Sequence, residues 1–159
     1  EGIANSVAQN ETIKIKFEVD VNPPAYAGFE HKYRLMPLPY EVNMYDLPSL
    51  FAGKIHAVIC RTWQNRIKGR DLYDYIFYLS KGAAVNQKHL RQRLLQSGFI
   101  TPSVECTLPE IKEMLCERFD QIDYAQAKAD VEPFIRNPSV LNIWSADFFK
   151  QITESLADK

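Results

Sequence analysis

The chain changes its hydrophobic period once, a little before its first third ends. Residues 12–21 alternate apolar and charged side chains, which predicts a half-buried β-strand. Two weaker strands are predicted at 29–36 and 40–45, interrupted by Pro37 and Pro39, because proline cannot donate to a strand ladder. Apolar residues then recur at helical spacing to the end of the chain.

Capping residues mark where the helices begin. Asp46 can cap a helix over 47–62, and Gly69 interrupts the chain before a second helix over 70–79. Further helices are predicted at 86–95 after Asn86, from a capping box at 107–110, at 123–135 and at 142–156. The pattern predicts an α+β fold, with a short strand-rich part at 1–45 and a helical domain at 46–159.

Composition narrows the class of protein. The net charge is -1, so the chain has no overall positive field for nucleic acid, and a nucleic-acid contact would need a local patch. The three cysteines are odd in number and form no C-x-x-C pair, which favours a reduced, cytoplasmic protein. No apolar run approaches the ~20 residues of a membrane span, so no membrane partner is expected.

Lys54 and two aspartates occupy positions where a helical core favours apolar residues. Lys54 lies within the apolar stripe of its helix, and Asp71 and Asp74 lie one turn apart on the next. In one alternative, the alkyl chain of Lys54 lies along the apolar surface and its ammonium is in water. In the other, the ammonium is paired with anionic groups. The aspartates either favour a helix start and pair with Arg70, or act in a site. We predict that the ammonium shares a cavity with Asp71 and lies within ~4 Å of a carboxylate.

The alternating segment brings a second pair of carboxylates. Glu18 and Asp20 would share one face of a strand, ~7 Å apart, where one could hold a divalent cation. The alternative is a solvated strand face with no further role. If the first interpretation holds, both carboxylates should border the cavity of Lys54.

Basic residues surround an aromatic side chain between the two helices. Trp63 lies in this segment, and such interleaving is typical of phosphate contact and base stacking. A plain solvated face is an equal alternative. The basic residues of the segment are Arg61, Arg66, Lys68 and Arg70, and the helix at 86–95 adds Lys88, His89, Arg91 and Arg93.

The motif around these residues resembles a known family. Ala52-Gly53-Lys54 followed by Arg70-Asp71-Leu72-Tyr73-Asp74 is similar to the central block of the AbiEii/AbiGii toxins, which are nucleotidyltransferase-like proteins, and the resemblance covers 12–80. It implies a polymerase-β-like nucleotidyltransferase fold, a small mixed sheet followed by a helical domain. Family members act with a cognate antitoxin in phage defence by abortive infection or in type IV toxin–antitoxin systems. Some transfer nucleotides to tRNA.

The resemblance also implies roles for individual residues. Lys54, Asp71 and Asp74 match the family's catalytic motif, with Asp20 as a further catalytic carboxylate. NTP would be the substrate, tRNA or another RNA the acceptor, and Mg²⁺ the cofactor. The residues implied to bind phosphate are Lys54, Arg61, Arg66, Lys68 and Arg70, and those implied to lie beside the metal are Asp20 and Glu18.

One family feature is missing from the sequence. The G-S motif followed by D-x-D, which holds the metal in the family, does not occur. We therefore expect this chain to be the C-terminal portion of a longer enzyme, and to bind no Mg²⁺ and transfer no nucleotide alone. The alternative is a non-catalytic helical module that binds RNA or the antitoxin.

Overall fold

The chain folds into a β-hairpin followed by helices, as a computed structural model shows for residues 14–61 and 68–158. The hairpin consists of β1 (Phe29–Arg34) and β2 (Tyr40–Tyr45). The described helices are α1 (Leu47–Cys60), α2 (Gly69–Ser80), α3 (Gln87–Gln96), α4 (Leu108–Asp120), α5 (Tyr124–Val131) and α6 (Ala146–Thr153). A short 3₁₀ turn at Glu132–Phe134 replaces the end of the helix expected at 123–135, and a second at Pro138–Leu141 precedes the helix expected at 142–156, which begins only at Ala146. The α+β prediction is confirmed.

The strand predicted at 12–21 is not formed in the part of it that the structure describes. Residues 14–20 have no regular secondary structure. The four apolar side chains of the alternation that the structure describes are largely exposed, at 74% for Ile15, 88% for Phe17, 83% for Val19 and 92% for Val21. Alternation only makes a strand suitable for pairing, whereas a ladder needs a neighbour. Among the described residues, β1 and β2 pair only with each other.

Three helix starts that capping residues predicted, at Asp46, Asn86 and Thr107, are present. The Asp46 side chain accepts a hydrogen bond from Ser49 N at 2.9 Å, and the Asn86 side chain accepts from His89 N at 3.1 Å. Thr107 and Glu110 form the expected capping box at the start of α4. These contacts span three residues each, so they depend only on local sequence.

The core is built around α1, which packs against α2, α3 and α4. A row of buried aromatic rings joins α1, α2 and α4 to α6. The ring centroids of Phe51 and Tyr75 are 5.7 Å apart, those of Tyr75 and Phe119 are 5.8 Å apart, and those of Phe119 and Phe149 are 5.2 Å apart. This row fixes the position of α2 against α1, and the candidate site lies between these two helices.

Gly69 allows α2 to approach α5 closely. A Cβ atom at this position would lie 1.9 Å from the carbonyl oxygen of Ala127. The glycine expected to interrupt the chain therefore begins α2 and contacts a neighbouring backbone. None of the helices in the described ranges is long and apolar enough to cross a membrane. The proposed division between 45 and 46 stays a prediction.

Candidate functional site

Two ion pairs connect α1 to α2. Lys54 Nζ lies 2.6 Å from Asp74 Oδ2. Arg61 Nη1 donates to both carboxylate oxygens of Asp71, at 2.8 and 3.1 Å. Both acids of the motif on α2 are thus neutralised, Asp74 by a lysine of α1 and Asp71 by the arginine that follows α1.

The register of the two helices explains which partners meet. Lys54 lies two turns before the end of α1, whereas Arg61 follows its last residue. Asp71 lies in the first turn of α2, so in an antiparallel pair it is level with Arg61. Asp74, one turn further along α2, lies within reach of the long lysine side chain. The predicted contact of Lys54 with a carboxylate is confirmed, and the partner is Asp74.

The two ion pairs differ in exposure. The side chain of Asp71 is 11% exposed, whereas those of Lys54 and Asp74 are 38% and 37% exposed. Lys54 was expected either to expose its ammonium to solvent or to pair it with an anion, and the structure combines the two. Its stem follows the edge of the apolar stripe, and its ammonium is both paired and open to solvent.

Asp71 borders a small cavity that Lys54 does not reach. The cavity measures about 20 Å³, enough for about one water molecule. The prediction that Lys54 and Asp71 share a cavity is wrong, because two helical turns separate Lys54 from the end of α1. The cavity is lined by Ala57, Val58, Arg61, Lys68, Asp71, Leu72, Arg118 and Ile122.

Arg118 of α4 belongs to this cavity and was not singled out from the sequence. Its guanidinium donates to Val58 O at 3.3 Å and to Arg61 O at 3.0 Å. It thus satisfies carbonyl groups at the C-terminal end of α1, where a cation is favourable. Its sequence signal was weak, since a basic residue in a last helical turn is common.

The carboxylates of the N-terminal segment do not join the site. Glu18 forms an ion pair with Lys16, and Asp20 Oδ1 accepts from Asn22 N at 3.0 Å. Both side chains lie in an exposed stretch without a pairing strand. The expectation that they border the cavity of Lys54 is wrong, because the strand that would have positioned them is not formed. Within the described ranges, no three His, Cys, Asp or Glu side chains could together hold a metal ion.

The described basic residues near the junction of α1 and α2 do not all lie together, since Arg61 and Lys68 share a cavity that Arg70 does not line. Lys68 is half-buried and lines the cavity of Asp71. Arg70 points elsewhere, with its Nε 3.8 Å from Asp130 and its guanidinium 5.5 Å from the Phe134 ring centroid. The alternative pairing of Arg70 with Asp74 is therefore not observed. Trp63 and Arg66 lie outside the described residues.

The basic residues of α3 also separate into different surroundings. His89 is buried, and its Nδ1 lies 2.9 Å from Ala25 O. Arg91 donates to Val104 O at 2.8 Å and to Pro102 O at 2.7 Å. These two side chains secure neighbouring loops, so a continuous basic face on α3 is not formed.

His56 of α1 lies beside the site and carries a perturbed pKa. Burial, and then the positive charges of Arg93 and Arg61, lower the pKa of His56 to about 4. The imidazole is therefore neutral at pH 7. Nothing in the spacing of His56 distinguished it from an ordinary core histidine.

The comparison with protein families gives the class of this protein, a nucleotidyl transferase toxin. The family model for the nucleotidyl transferase AbiEii toxin of type IV toxin–antitoxin systems matches residues 3–150. The chain therefore belongs to the AbiEii family, as its central motif indicated. The searches of curated proteins and of solved structures found no significant match.

Proposed function

We propose that this chain is part of a toxin that transfers a nucleotide from an NTP to an acceptor, with tRNA as the expected acceptor. Membership of the AbiEii family supports a nucleotidyl transferase and implies a cognate antitoxin. The observation that carries the residue-level proposal is the Lys54–Asp74 pair at the solvent edge of α1 and α2. A partly exposed ammonium that is held beside Asp74 is suited to binding a phosphate.

Lys54 has donors left for such a phosphate. An ammonium carries three N–H groups, and one is directed at Asp74. The remaining two can donate to phosphate oxygens, while Asp74 restricts the motion of the side chain. Asp71 holds Arg61 at the end of α1, so a second cation lies on the same side of α2. In this proposal the lysine anchors the triphosphate and the two aspartates position the cations.

Magnesium enters this proposal only through the family's chemistry, in which the ion neutralises the triphosphate. The described carboxylates do not fit such a site, because Asp71 and Asp74 face cations and the exposed Glu18 and Asp20 lie in a separate segment. No step assigned here to a residue of the chain depends on the metal. Asp20 consequently has no assigned step either.

Labelled NTPs incubated with total RNA test the proposal. The protein expressed from its complete gene should label RNA, and Lys54→Ala should abolish the labelling without unfolding α1, because alanine is the best helix former. Lys54→Met restores the apolar stem and should remain inactive. Lys88→Ala, on the exposed face of α3, is the matched control and should remain active. Activity in Lys54→Met would reject the role as phosphate anchor.

A second candidate is a binding module without catalysis. It is favoured by the neutralisation of both motif aspartates, which leaves neither of them free for a metal ion. In that case the protein should bind RNA or its antitoxin and label no acceptor. Binding of RNA that Lys54→Ala leaves unchanged, with no transfer by the unaltered protein, would favour this module over the transferase.

A further inference from the structure

Segment 14–20 combines the pattern of a β-strand with a fully accessible surface. Its apolar side chains are 74% exposed at Ile15, 88% at Phe17 and 83% at Val19. Among the described residues, neither strand of the hairpin pairs with this segment. A strand-like segment with an open edge is a template for a strand of another chain, which adds to it through main-chain hydrogen bonds.

The contacts described for the charged side chains of the segment are local. Lys16 forms an ion pair with Glu18 of the same copy, and these two side chains are 81% and 75% exposed. Asp20 accepts a hydrogen bond from the backbone of Asn22. Solvent-exposed ion pairs contribute little to stability, so a facing strand can replace the pair of Lys16 and Glu18 at little cost.

The order of the charges along the segment indicates which strand fits it. Two lysines come before two acids, so the segment is complementary to itself when a second copy runs antiparallel. In that arrangement lysines face acids and apolar residues face apolar residues, and both kinds of cross-strand pair stabilise a ladder. The facing pairs are Lys14 with Asp20, Ile15 with Val19, Lys16 with Glu18, and Phe17 with Phe17 of the second copy.

Other registers are less favourable for two copies of this segment. The antiparallel register centred on Phe17 contains four pairs of opposite charge. Sliding one copy by two residues leaves two such pairs and places Glu18 opposite Glu18 or Lys16 opposite Lys16. Sliding it by one residue places apolar side chains opposite charged ones. A parallel pair in register places every charge beside a like charge.

We propose that residues 14–20 are a dimerisation strand, which pairs antiparallel with the same segment of a second copy about a two-fold axis at Phe17. The second copy supplies the neighbour that the segment does not have among the described residues of one copy. A two-fold interface uses the same patch on both subunits, as this self-complementary pattern requires. Asn22 O accepts from Gln96 of α3 at 3.2 Å, so the strand ends where the chain is anchored to the helices. The interface is separate from nucleotide transfer.

Disulfide trapping tests both the contact and its register. Phe17→Cys places two thiols on the two-fold axis, where facing Cβ atoms lie ~4.5–5.5 Å apart and a small shift allows a disulfide. Val19→Cys is the matched control, because the two substituted positions would lie ~14 Å apart at a rise of ~3.4 Å per residue. Cross-linking on non-reducing gels should be about tenfold greater for Phe17→Cys. The unaltered chain gives the background from its own free thiols, Cys60, Cys106 and Cys116.

Sedimentation of charge variants tests the pairing without a covalent bond. The acidic variant carries Lys14→Asp and Lys16→Glu, the basic variant carries Glu18→Lys and Asp20→Lys, and the control carries Lys81→Glu and Lys88→Glu at exposed positions elsewhere. The unaltered chain and the control should dimerise as concentration rises. The acidic and basic variants each face like charges at four pairs, so each should dimerise at least about tenfold more weakly. An equal mixture of these two variants should restore the dimer.

Three results would overturn the dimerisation strand. They are a chain that stays monomeric as concentration rises, equal cross-linking of the two cysteine variants, and a mixture of the acidic and basic variants that stays monomeric. Repeating the trapping in the protein expressed from its complete gene tests for a competing occupant. Cross-linking through Phe17→Cys there supports the proposal, whereas its loss assigns residues 14–20 to another segment of the same protein and rejects the dimer.

Discussion

Replacing Asp71 with Asn tests how strongly the ion pair with Arg61 holds α2 to α1. The substitution keeps the shape of the side chain and removes its charge. Both carboxylate oxygens accept from Arg61 Nη1, at 2.8 and 3.1 Å, and the side chains are 11% and 43% exposed. Exposed pairs contribute ~0.2–1 kcal/mol, and breaking a buried pair costs ~3–5 kcal/mol. We expect the free energy of unfolding to fall by ~1–3 kcal/mol.

A double-mutant cycle isolates the pair. Urea denaturation of Asp71→Asn, Arg61→Met and the double variant should give a coupling energy of ~1–2 kcal/mol. The matched control is the cycle on Lys150 and Asp120, whose charged atoms are 2.6 Å apart with side chains 35% and 57% exposed. Because solvent screens that pair more strongly, its coupling should be smaller.

A coupling for Arg61 and Asp71 no larger than in the control would refute this reasoning. Asp71 would then be held by other cations of its cavity, of which Lys68 and Arg118 are the neighbours. The double variant also separates stability from chemistry. If it folds well and still labels no RNA, the pair of Asp71 and Arg61 contributes to activity as well as to the contact between the helices.

Two further predictions concern stability alone. Burial and two neighbouring guanidinium groups lower the pKa of His56 from 6.5 to about 4, so the folded protein binds fewer protons than the unfolded chain in that range. Stability should be complete above pH 6.5 and fall towards pH 4, by ~1–2 kcal/mol once solvent screening of this partly exposed group is allowed for; His56→Gln should flatten this slope in urea titrations. Gly69→Ala should destabilise the fold by ~1–3 kcal/mol or more, because its Cβ would meet a backbone oxygen at 1.9 Å. Gly53→Ala, with ordinary contacts from 3.7 Å, should stabilise it by ~0.5–1 kcal/mol, and equal effects of the two alanines would contradict the packing argument.

The helical part of the fold follows from local sequence. Asp46 and Asn86 accept the hydrogen bonds expected of capping residues, and Thr107 with Glu110 forms its capping box. Each of these contacts lies within one turn, so its partners are fixed as soon as the helix forms. Helical periodicity and capping therefore predicted where most of the helices begin.

The N-terminal segment shows where local pattern is insufficient. Residues 12–21 alternate as regularly as a strand requires, yet the described residues of this stretch form none. A helix completes its hydrogen bonds within its own segment, whereas a strand depends on a second segment. The alternation specified which faces could be buried, but no other described segment of the same chain pairs with it.

The sequence by itself selected Lys54, Asp71 and Asp74, because charged residues at positions facing an apolar core require a partner. The tertiary structure decided which partners they have. The register of two antiparallel helices pairs Lys54 with Asp74 and Arg61 with Asp71. It also brought Arg118 to the cavity of Asp71 and Arg93 over Gly53, from helices distant in sequence. Helix periodicity determines the face on which a side chain lies, whereas packing between helices determines what that face meets.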